Sequence, residues 1–205
     1  MPTAPRRQSH PKPDPMLLET IAHPAIDIDL LYASADNLTR QPIYQRSVAL
    51  LHPHALQALR RAATLAAAQG LRLRVFDAYR PVAAQWRLWQ ALPDPDYVAD
   101  PRQGPMHSRG VAIDLTLADG TGAPLDMGTG FDDMTARSSH GRTDVPPLAQ
   151  RNRALLLGLM VVSGFAHNPT EWWHYHLPNW RDYPPLRDEV EGLRLMDLAG
   201  ISHCA

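Results

Sequence analysis

Residues 54–81 read HALQALRRAATLAAAQGLRLRVFDAYRP, and this stretch decides the class of fold. Its first part places apolar residues at the spacing of one helix face, at Leu56, Leu59, Ala63 and Ala66. Gly70 follows at the point where a left-handed residue closes a helix. The pattern therefore predicts a helix over 54–69.

The second part of the same stretch changes from the period of a helix to that of a strand. Leu71, Leu73 and Val75 alternate with arginines, which predicts a half-buried strand. Arg80 is therefore expected at the mouth of a strand. Pro81 suits the first turn of a helix, and we predict a second helix over 82–92.

The rest of the chain continues this mixture of helices and strands. We predict a strand over 111–117, a long connection over 121–147, a buried helix over 148–163 and a short strand over 171–176. Helices and strands that neither alternate strictly nor segregate favour the α+β class. We expect a single domain with a mostly antiparallel central sheet flanked by helices.

The composition is that of one globular domain with a tail. Of the 205 residues, 44% are apolar and 20% charged, which permits one compact core. Residues 1–15 are rich in Pro, Arg, Ser and His, so we predict a flexible tail there and a folded domain over 16–205. The 20 basic and 21 acidic residues nearly balance, which argues against nucleic acid or an anionic membrane as a partner and favours a small molecule.

The single cysteine and the apolar segments exclude several kinds of site. Cys204 has no partner for an intrachain disulfide, so a metal would have to be held by His and carboxylates. No signal peptide is recognised, and no apolar run approaches the roughly 20 residues needed to cross a bilayer. We therefore expect a cytoplasmic protein with no membrane partner.

Two clusters of residues carry chemistry, and the first is Met106-His-Ser-Arg-Gly-Val-Ala-Ile-Asp114. On one straight strand His107 and Asp114 would face opposite ways, because an odd number of steps separates them. Gly110 offers a bend that lets both side chains converge.

The second cluster is Glu171-Trp-Trp-His-Tyr-His176. Zinc accepts two histidines and one carboxylate while keeping a fourth position for water, as a hydrolase requires. Spacing does not decide between His174 and His176, which would share a face of a strand. Spacing also leaves non-catalytic alternatives open. The pairing of His107 with Asp114 could be due to chance, and Glu171 could lie at the rim of an aromatic core. Arg80 could be an arginine that is only solvated or ion-paired. The residues alone give a metal hydrolase as a hypothesis.

At these residues the chain resembles the VanX-type D-Ala-D-Ala dipeptidases of the zinc D,D-peptidase family, peptidase family M15. The family's His-to-Asp motif looks like residues 107–114 here, and its Glu-Trp-Trp-His-Tyr signature stands as 171–175. Residues 77–81 resemble its arginine motif, 127–132 its substrate loop and 163–165 the approach to the second ligand. The resemblance spans about residues 20 to 180.

The resemblance implies the hedgehog-like fold of the family and one Zn²⁺ ion per chain. The ligands it implies are His107, Asp114 and His174. His176 would be structural, Glu171 would be the general base and then acid while a zinc-bound water attacks the peptide, and Arg80 would stabilise the oxyanion. The implied function is zinc-dependent hydrolysis of D-Ala-D-Ala to two D-alanines by a catalytic domain over 16–205.

The resemblance also implies how the dipeptide is held. Asp132 matches the carboxylate that pairs with the free ammonium, Tyr32 the tyrosine that closes the same end, and Asp77 a further substrate-binding residue. Pro105 departs from the family, which has a serine two residues before the first ligand. Proline has neither a hydroxyl nor a backbone N–H, so the family's contacts to the C-terminal side of the substrate are not expected from this residue.

Two other functions remain open from the sequence. A D,D-carboxypeptidase or peptidoglycan endopeptidase would use the same fold and metal on longer substrates. A non-catalytic zinc-containing binding module would need neither Glu171 nor Arg80, and a structural zinc site usually closes its fourth position. The sequence does not define the oligomeric state.

Overall fold

The computed structural model describes residues 18–186 and 195–196, so the predicted tail at 1–15 and part of the predicted 16–205 domain lie outside the described residues. The α-helices of the described part are α1 (Pro53–Ala67), α2 (Val82–Ala91) and α3 (Pro147–Val162). The strands are β1 (Glu19–Thr20), β2 (Ile26–Ile28), β3 (Leu50–Leu51), β4 (Arg72–Asp77), β5 (Ala112–Ala118), β6 (Ala166–His167) and β7 (His174–His176).

The main sheet has the order β2-β4-β5-β7-β6. Only the β2–β4 pair is parallel among these described strands, and the other neighbours run antiparallel. A separate antiparallel pair joins β1 to β3. The predicted α+β class with a mostly antiparallel sheet and flanking helices is confirmed.

The helices predicted from apolar periodicity are also confirmed, each within two residues of its predicted ends. The ring of His52 caps α1 by accepting the amide proton of His54, and Pro53 occupies the first turn, where its missing N–H costs no hydrogen bond. Gly70 after α1 and Gly164 after α3 both have positive φ, as expected of glycines that close helices.

Helices α1 and α3 cover one face of the sheet. Leu73, Val75, Leu115 and Leu117 are fully buried there. The helices α1 and α3 pack against this face and each other, and the Arg61 guanidinium donates to the Ser163 carbonyl at 2.7 Å. Each buried aliphatic side chain contributes about 1.5–3 kcal/mol. The opposite face of the three central strands is left for polar groups.

The strand predicted over 171–176 is wrong in its first half. Strand β7 begins at His174, and Glu171–Trp173 lie in a turn in which the His174 amide donates to the Glu171 carbonyl at 3.3 Å. The aromatic residues suggested a strand, but Trp172 and Trp173 precede β7 and are buried by side-chain packing, although the Trp173 carbonyl accepts a 3.1 Å bond from the Leu115 amide of β5.

The predicted long connection is confirmed between β5 and α3. Its 3-10 turn at Ala136–Ser138 is the longest regular element there. The buried Arg153 of α3 holds it, with bonds of 2.6–3.1 Å to the carbonyl oxygens of Met127, Arg137 and Ser139 and one of 3.2 Å to the Thr129 hydroxyl. One buried guanidinium thus ties α3 to a loop whose turns also carry hydrogen bonds of their own.

Among the described residues, no helix is both long enough and apolar enough to span a membrane.

Candidate active site

A row of polar residues crosses the centre of the sheet. Asp77 of β4 pairs in register with Asp114 of β5, which pairs with His174 of β7. A β-bulge between Val75 and Asp77 creates this register, because one extra residue on β4 brings Asp77 rather than Phe76 opposite Asp114. Directly paired residues lie on the same face, so these three side chains are neighbours.

His107 reaches the same row from a turn before β5. It begins a 3-10 turn, His107–Arg109, that Gly110 closes with φ of 69°. The predicted bend at Gly110 is confirmed, and it brings His107 Nε2 to 3.3 Å from the Asp114 carboxylate.

We expect Gly110→Ala to lower the free energy of unfolding by about 2–4 kcal/mol, because a Cβ there adds both a strained φ and a clash. The added atom would lie 2.5 Å from Leu18 Cδ2 and 3.3 Å from the His52 backbone nitrogen. Gly141 has φ of 74° with nothing within 4 Å, so Gly141→Ala is the matched control and should cost only about 1–2 kcal/mol. Urea unfolding measures both, and equal losses would show that the contacts around Gly110 are unimportant.

Three possible metal ligands converge at this place. His107 Nε2 lies 3.2 Å from His174 Nδ1 and 3.3 Å from Asp114 Oδ2, and His174 Nδ1 lies 3.1 Å from Asp114 Oδ1. Ligand atoms bound tetrahedrally to zinc at about 2.0–2.1 Å lie roughly 3.3 Å apart. Each imidazole nitrogen lies near this distance from the other and from one oxygen of Asp114, and one ligand atom of each residue lies within 4.8 Å of the others, so the cluster can hold a metal ion.

The protonation of the donors also fits a cation. His107 Nδ1 lies 2.7 Å from the Ala78 carbonyl and therefore carries a proton, so that Nε2 has the lone pair whenever the ring is neutral, as a metal ligand must be. Burial opposes ionisation of Asp114, but His107 and His174 nevertheless lower its pKa. A lone pair and a carboxylate held this close together in a buried site attract a positive ion. In the part of the chain that is described, no other group of three or more His, Cys, Asp or Glu residues has such geometry.

Glu171 lies beside this cluster. Its Oε2 accepts a hydrogen bond of 2.9 Å from the Asn168 amide and lies 3.8 Å from His174 Nδ1. Burial raises the pKa of Glu171 to about 7, against the opposing effect of His174. A carboxyl with such a pKa can both accept and return a proton near neutral pH.

Arg80 lies on the other side of Asp114. Its guanidinium donates to Asp77 at 2.8 Å, to Gln85 at 2.9 Å and to Asp114 at 3.2 Å, and it lies over the Tyr32 ring at 4.9 Å. Only 8% of the residue is exposed. These contacts hold the guanidinium in one orientation.

Asp132 and Tyr32 form a further polar site. Asp132 has φ of 57°, and its carboxylate accepts bonds of 3.0 Å from the Tyr32 hydroxyl and from the Leu38 amide. Burial raises the pKa of Asp132 to about 6, although the Leu38 amide and Arg80 oppose this shift.

One cavity of about 330 Å³ joins these groups. The predicted site residues on its wall are Tyr32, Arg80, His107, Asp114, Asp132, Glu171 and His174. Asp77 is not on the wall: it is fully buried behind Arg80 and also accepts a 2.7 Å bond from the Tyr44 hydroxyl. His176 packs against His174 and lies outside the cluster of donors.

Sequence reasoning missed several residues that position the site. Gln85 holds Arg80, Asn168 holds Glu171, Tyr44 holds Asp77, and Arg181 lies on the cavity wall. Asn168 precedes Glu171 by three residues, which is the one signal that local spacing offered. Gln85 lies five residues after Arg80, at the start of α2, whereas the contact of Tyr44 with Asp77 joins distant parts of the chain.

A His-Asp-His cluster that is buried at His107 and Asp114 and half-buried at His174, with a carboxyl and an arginine on the same cavity wall, is the kind of arrangement that metallopeptidases use. The chain matches the Peptidase M15 family, described as D-ala-D-ala dipeptidase, over residues 14–189. It therefore belongs to this family.

Relatives of high similarity carry the same description. The chain is 50% identical to the D-alanyl-D-alanine dipeptidase of Escherichia coli K12 over 169 residues, which cover 82% of this chain and 88% of the relative. It is 35% identical to the D-alanyl-D-alanine dipeptidase of Enterococcus faecium over 191 residues, with 82% and 91% coverage. The resemblance seen in the sequence motifs is confirmed.

Proposed function

We propose that this chain hydrolyses the free dipeptide D-Ala-D-Ala to two D-alanines with one zinc ion held by His107, Asp114 and His174. The observation that carries the proposal is the convergence of two imidazole nitrogens, 3.2 Å apart, on the two carboxylate oxygens of Asp114 at 3.1 and 3.3 Å, in a cavity shared with Glu171, Arg80 and Asp132. Family membership supports the same chemistry. When bound, zinc would supply a Lewis acid and lower the pKa of a water to about 7.

Glu171 moves the proton in this proposal. Its carboxylate accepts a proton from the attacking water and returns it to the amine that leaves when the peptide bond breaks. A pKa near 7 suits both steps, because the group is then neither too weak as a base nor too weak as an acid. The bond from Asn168 orients the carboxylate toward the cluster.

Arg80 stabilises the negative charge that develops on the carbonyl oxygen. Asp77, Gln85 and Asp114 accept its other hydrogen bonds, which leaves an N–H of Nη1 for the substrate. We propose that Asp77 orients Arg80 instead of contacting the dipeptide, since it lies behind the guanidinium and off the cavity wall.

Asp132 distinguishes a dipeptidase from a carboxypeptidase. A half-buried carboxylate on the cavity wall pairs with the free ammonium of a dipeptide, whereas the acylated nitrogen of a longer stem has no charge to offer it. Tyr32 and the Leu38 amide hold the carboxylate in place.

The test is D-alanine release from D-Ala-D-Ala and from N-acetyl-D-Ala-D-Ala by zinc-loaded protein. Cleavage of the free dipeptide alone supports the proposal. Preference for the acetylated compound would instead assign the chain to the carboxypeptidases, and turnover of neither compound would contradict hydrolysis of D-Ala-D-Ala.

We expect Asp132→Asn to raise KM for D-Ala-D-Ala about ten- to a hundredfold with a smaller effect on kcat, because an amide keeps the shape but loses the charge that pairs with ammonium. Asp133→Asn alters the adjacent residue, which is not on the cavity wall, and should leave KM within about twofold. Steady-state kinetics on both variants measure this. A KM for Asp132→Asn equal to that of the control would assign the ammonium to another group.

A further inference from the structure

A zwitterionic dipeptide carries a carboxylate at the end opposite its ammonium, and that charge also needs a partner in the cavity. Two arginines are on the wall, Arg80 and Arg181. Arg80 is already bonded to two aspartates and a glutamine. Among the described residues of the wall, Arg181 is the arginine that remains for a second anionic group.

Arg181 lies in a 3-10 turn, Trp180–Asp182, that follows β7. The Leu177 amide donates to the Val111 carbonyl at 3.0 Å, and the Trp180 amide donates to the Leu177 carbonyl at 3.1 Å. These two bonds tie the turn to the strands that carry Asp114 and His174. Arg181 therefore has a defined position relative to the proposed metal ligands.

Within residues 18–186, the guanidinium of Arg181 is stacked on a ring and forms no ion pair. Its Cζ lies 4.1 Å from the centroid of the Trp180 ring, and Arg109 contacts the same ring at 5.1 Å. No carboxylate of residues 18–186 forms an ion pair with Arg181. Stacking uses the face of the guanidinium and leaves its N–H edge free, which is the edge that binds a carboxylate in a bidentate way.

Pro105, on the same cavity wall as Arg181, cannot donate a hydrogen bond to a carboxylate. Pro105 lines the cavity two residues before His107 and has neither a hydroxyl nor an N–H to donate. A substrate carboxylate near Pro105 would lose its hydration without gaining a donor from this residue. A cation on the same cavity wall supplies the missing interaction.

We infer that Arg181, stacked on Trp180, binds the C-terminal carboxylate of the dipeptide substrate. This inference rests on the proposed dipeptidase function and adds a specificity-determining residue to it. Asp132 would then bind the ammonium of the dipeptide and Arg181 its carboxylate, with the scissile bond between these two charged ends.

The test compares D-Ala-D-Ala with D-Ala-D-alaninamide, which lacks the carboxylate charge, in the zinc-loaded wild-type protein and in Arg181→Leu. We expect Arg181→Leu to lower kcat/KM for the acid about ten- to a hundredfold, mainly through KM, and to leave the amide within about threefold. The wild-type preference for D-Ala-D-Ala over D-Ala-D-alaninamide should therefore disappear in Arg181→Leu. Arg181→Lys should restore part of it, because lysine keeps the charge but not the bidentate geometry.

Arg142→Leu is the matched control, because Arg142 pairs with Asp144 and is not on the cavity wall. Zinc content and the unfolding midpoint are measured for all variants. An equal loss on both substrates would give Arg181 only a structural role, and no loss on either would also overturn the inference. Failure of the wild type to cleave either substrate would instead contradict the proposed function.

Discussion

Replacing Glu171 with glutamine is expected to lower kcat for D-Ala-D-Ala by about 10²–10⁴-fold while zinc content and KM change little. Glutamine has nearly the same shape and can still accept the hydrogen bond that Asn168 now donates at 2.9 Å. It cannot take a proton from water. The loss would therefore fall on the proton-transfer step and not on folding or on binding.

The control for this variant is Glu19→Gln, which changes a glutamate exposed at the edge strand β1. Metal analysis of both proteins should give the same amount of zinc per chain. If Glu171→Gln kept more than a tenth of the wild-type kcat, another group would have to be the base. Loss of zinc from the variant would instead mean that Glu171 is a ligand.

Removal of zinc is expected to abolish activity and also to lower the unfolding temperature. The cluster places two imidazole nitrogens and a carboxylate 3.1–3.3 Å apart, so a bound cation relieves their mutual repulsion in the folded state. A ligand at a free concentration a thousandfold above its Kd stabilises the folded state by about 4 kcal/mol. Calorimetry of chelator-treated protein, with and without added zinc, measures this effect.

Two histidine variants show which residues bind the ion. His107→Ala should abolish both the activity and the zinc-dependent shift in unfolding temperature. Only two of the three proposed protein ligands would remain, which is too few to hold the ion. His176→Ala should keep one zinc per chain, since His176 contacts His174 but is not one of the three donors. A zinc-dependent shift that survives His107→Ala would contradict the proposed ligand set.

The parts of the fold that could be predicted from the sequence are those with a long local pattern. The helices α1, α2 and α3 and the strands β4 and β5 each repeat their apolar period over several residues, so their ends were found to within two residues. The strands β1, β2, β3 and β6 have only two or three residues each. Their pairing depends on distant partners, and no local pattern indicates it.

In the candidate site, too, the features with a local sequence signal could be predicted and those that depend on distant residues could not. Gly110 is a local signal, and it correctly predicted the bend that brings His107 to Asp114. The bulge that puts Asp77 opposite Asp114 depends on the register between two strands, which spacing along one strand cannot reveal. Arg181 gave no signal because its position depends on Trp180 and on a turn that follows β7.

The hydrogen bonds that Arg153 makes to the loop between β5 and α3 have a consequence for how the protein opens. Loops without regular structure often open locally at little cost, but this loop can release its carbonyl groups only if a buried charge of α3 loses its partners. Amide hydrogens bonded within the loop, such as that of Ser138, should then exchange with solvent together with those of α3 rather than earlier. The segment that carries Asp132 would behave as part of the cooperative folding unit, so the pocket would keep its shape until the domain itself unfolds.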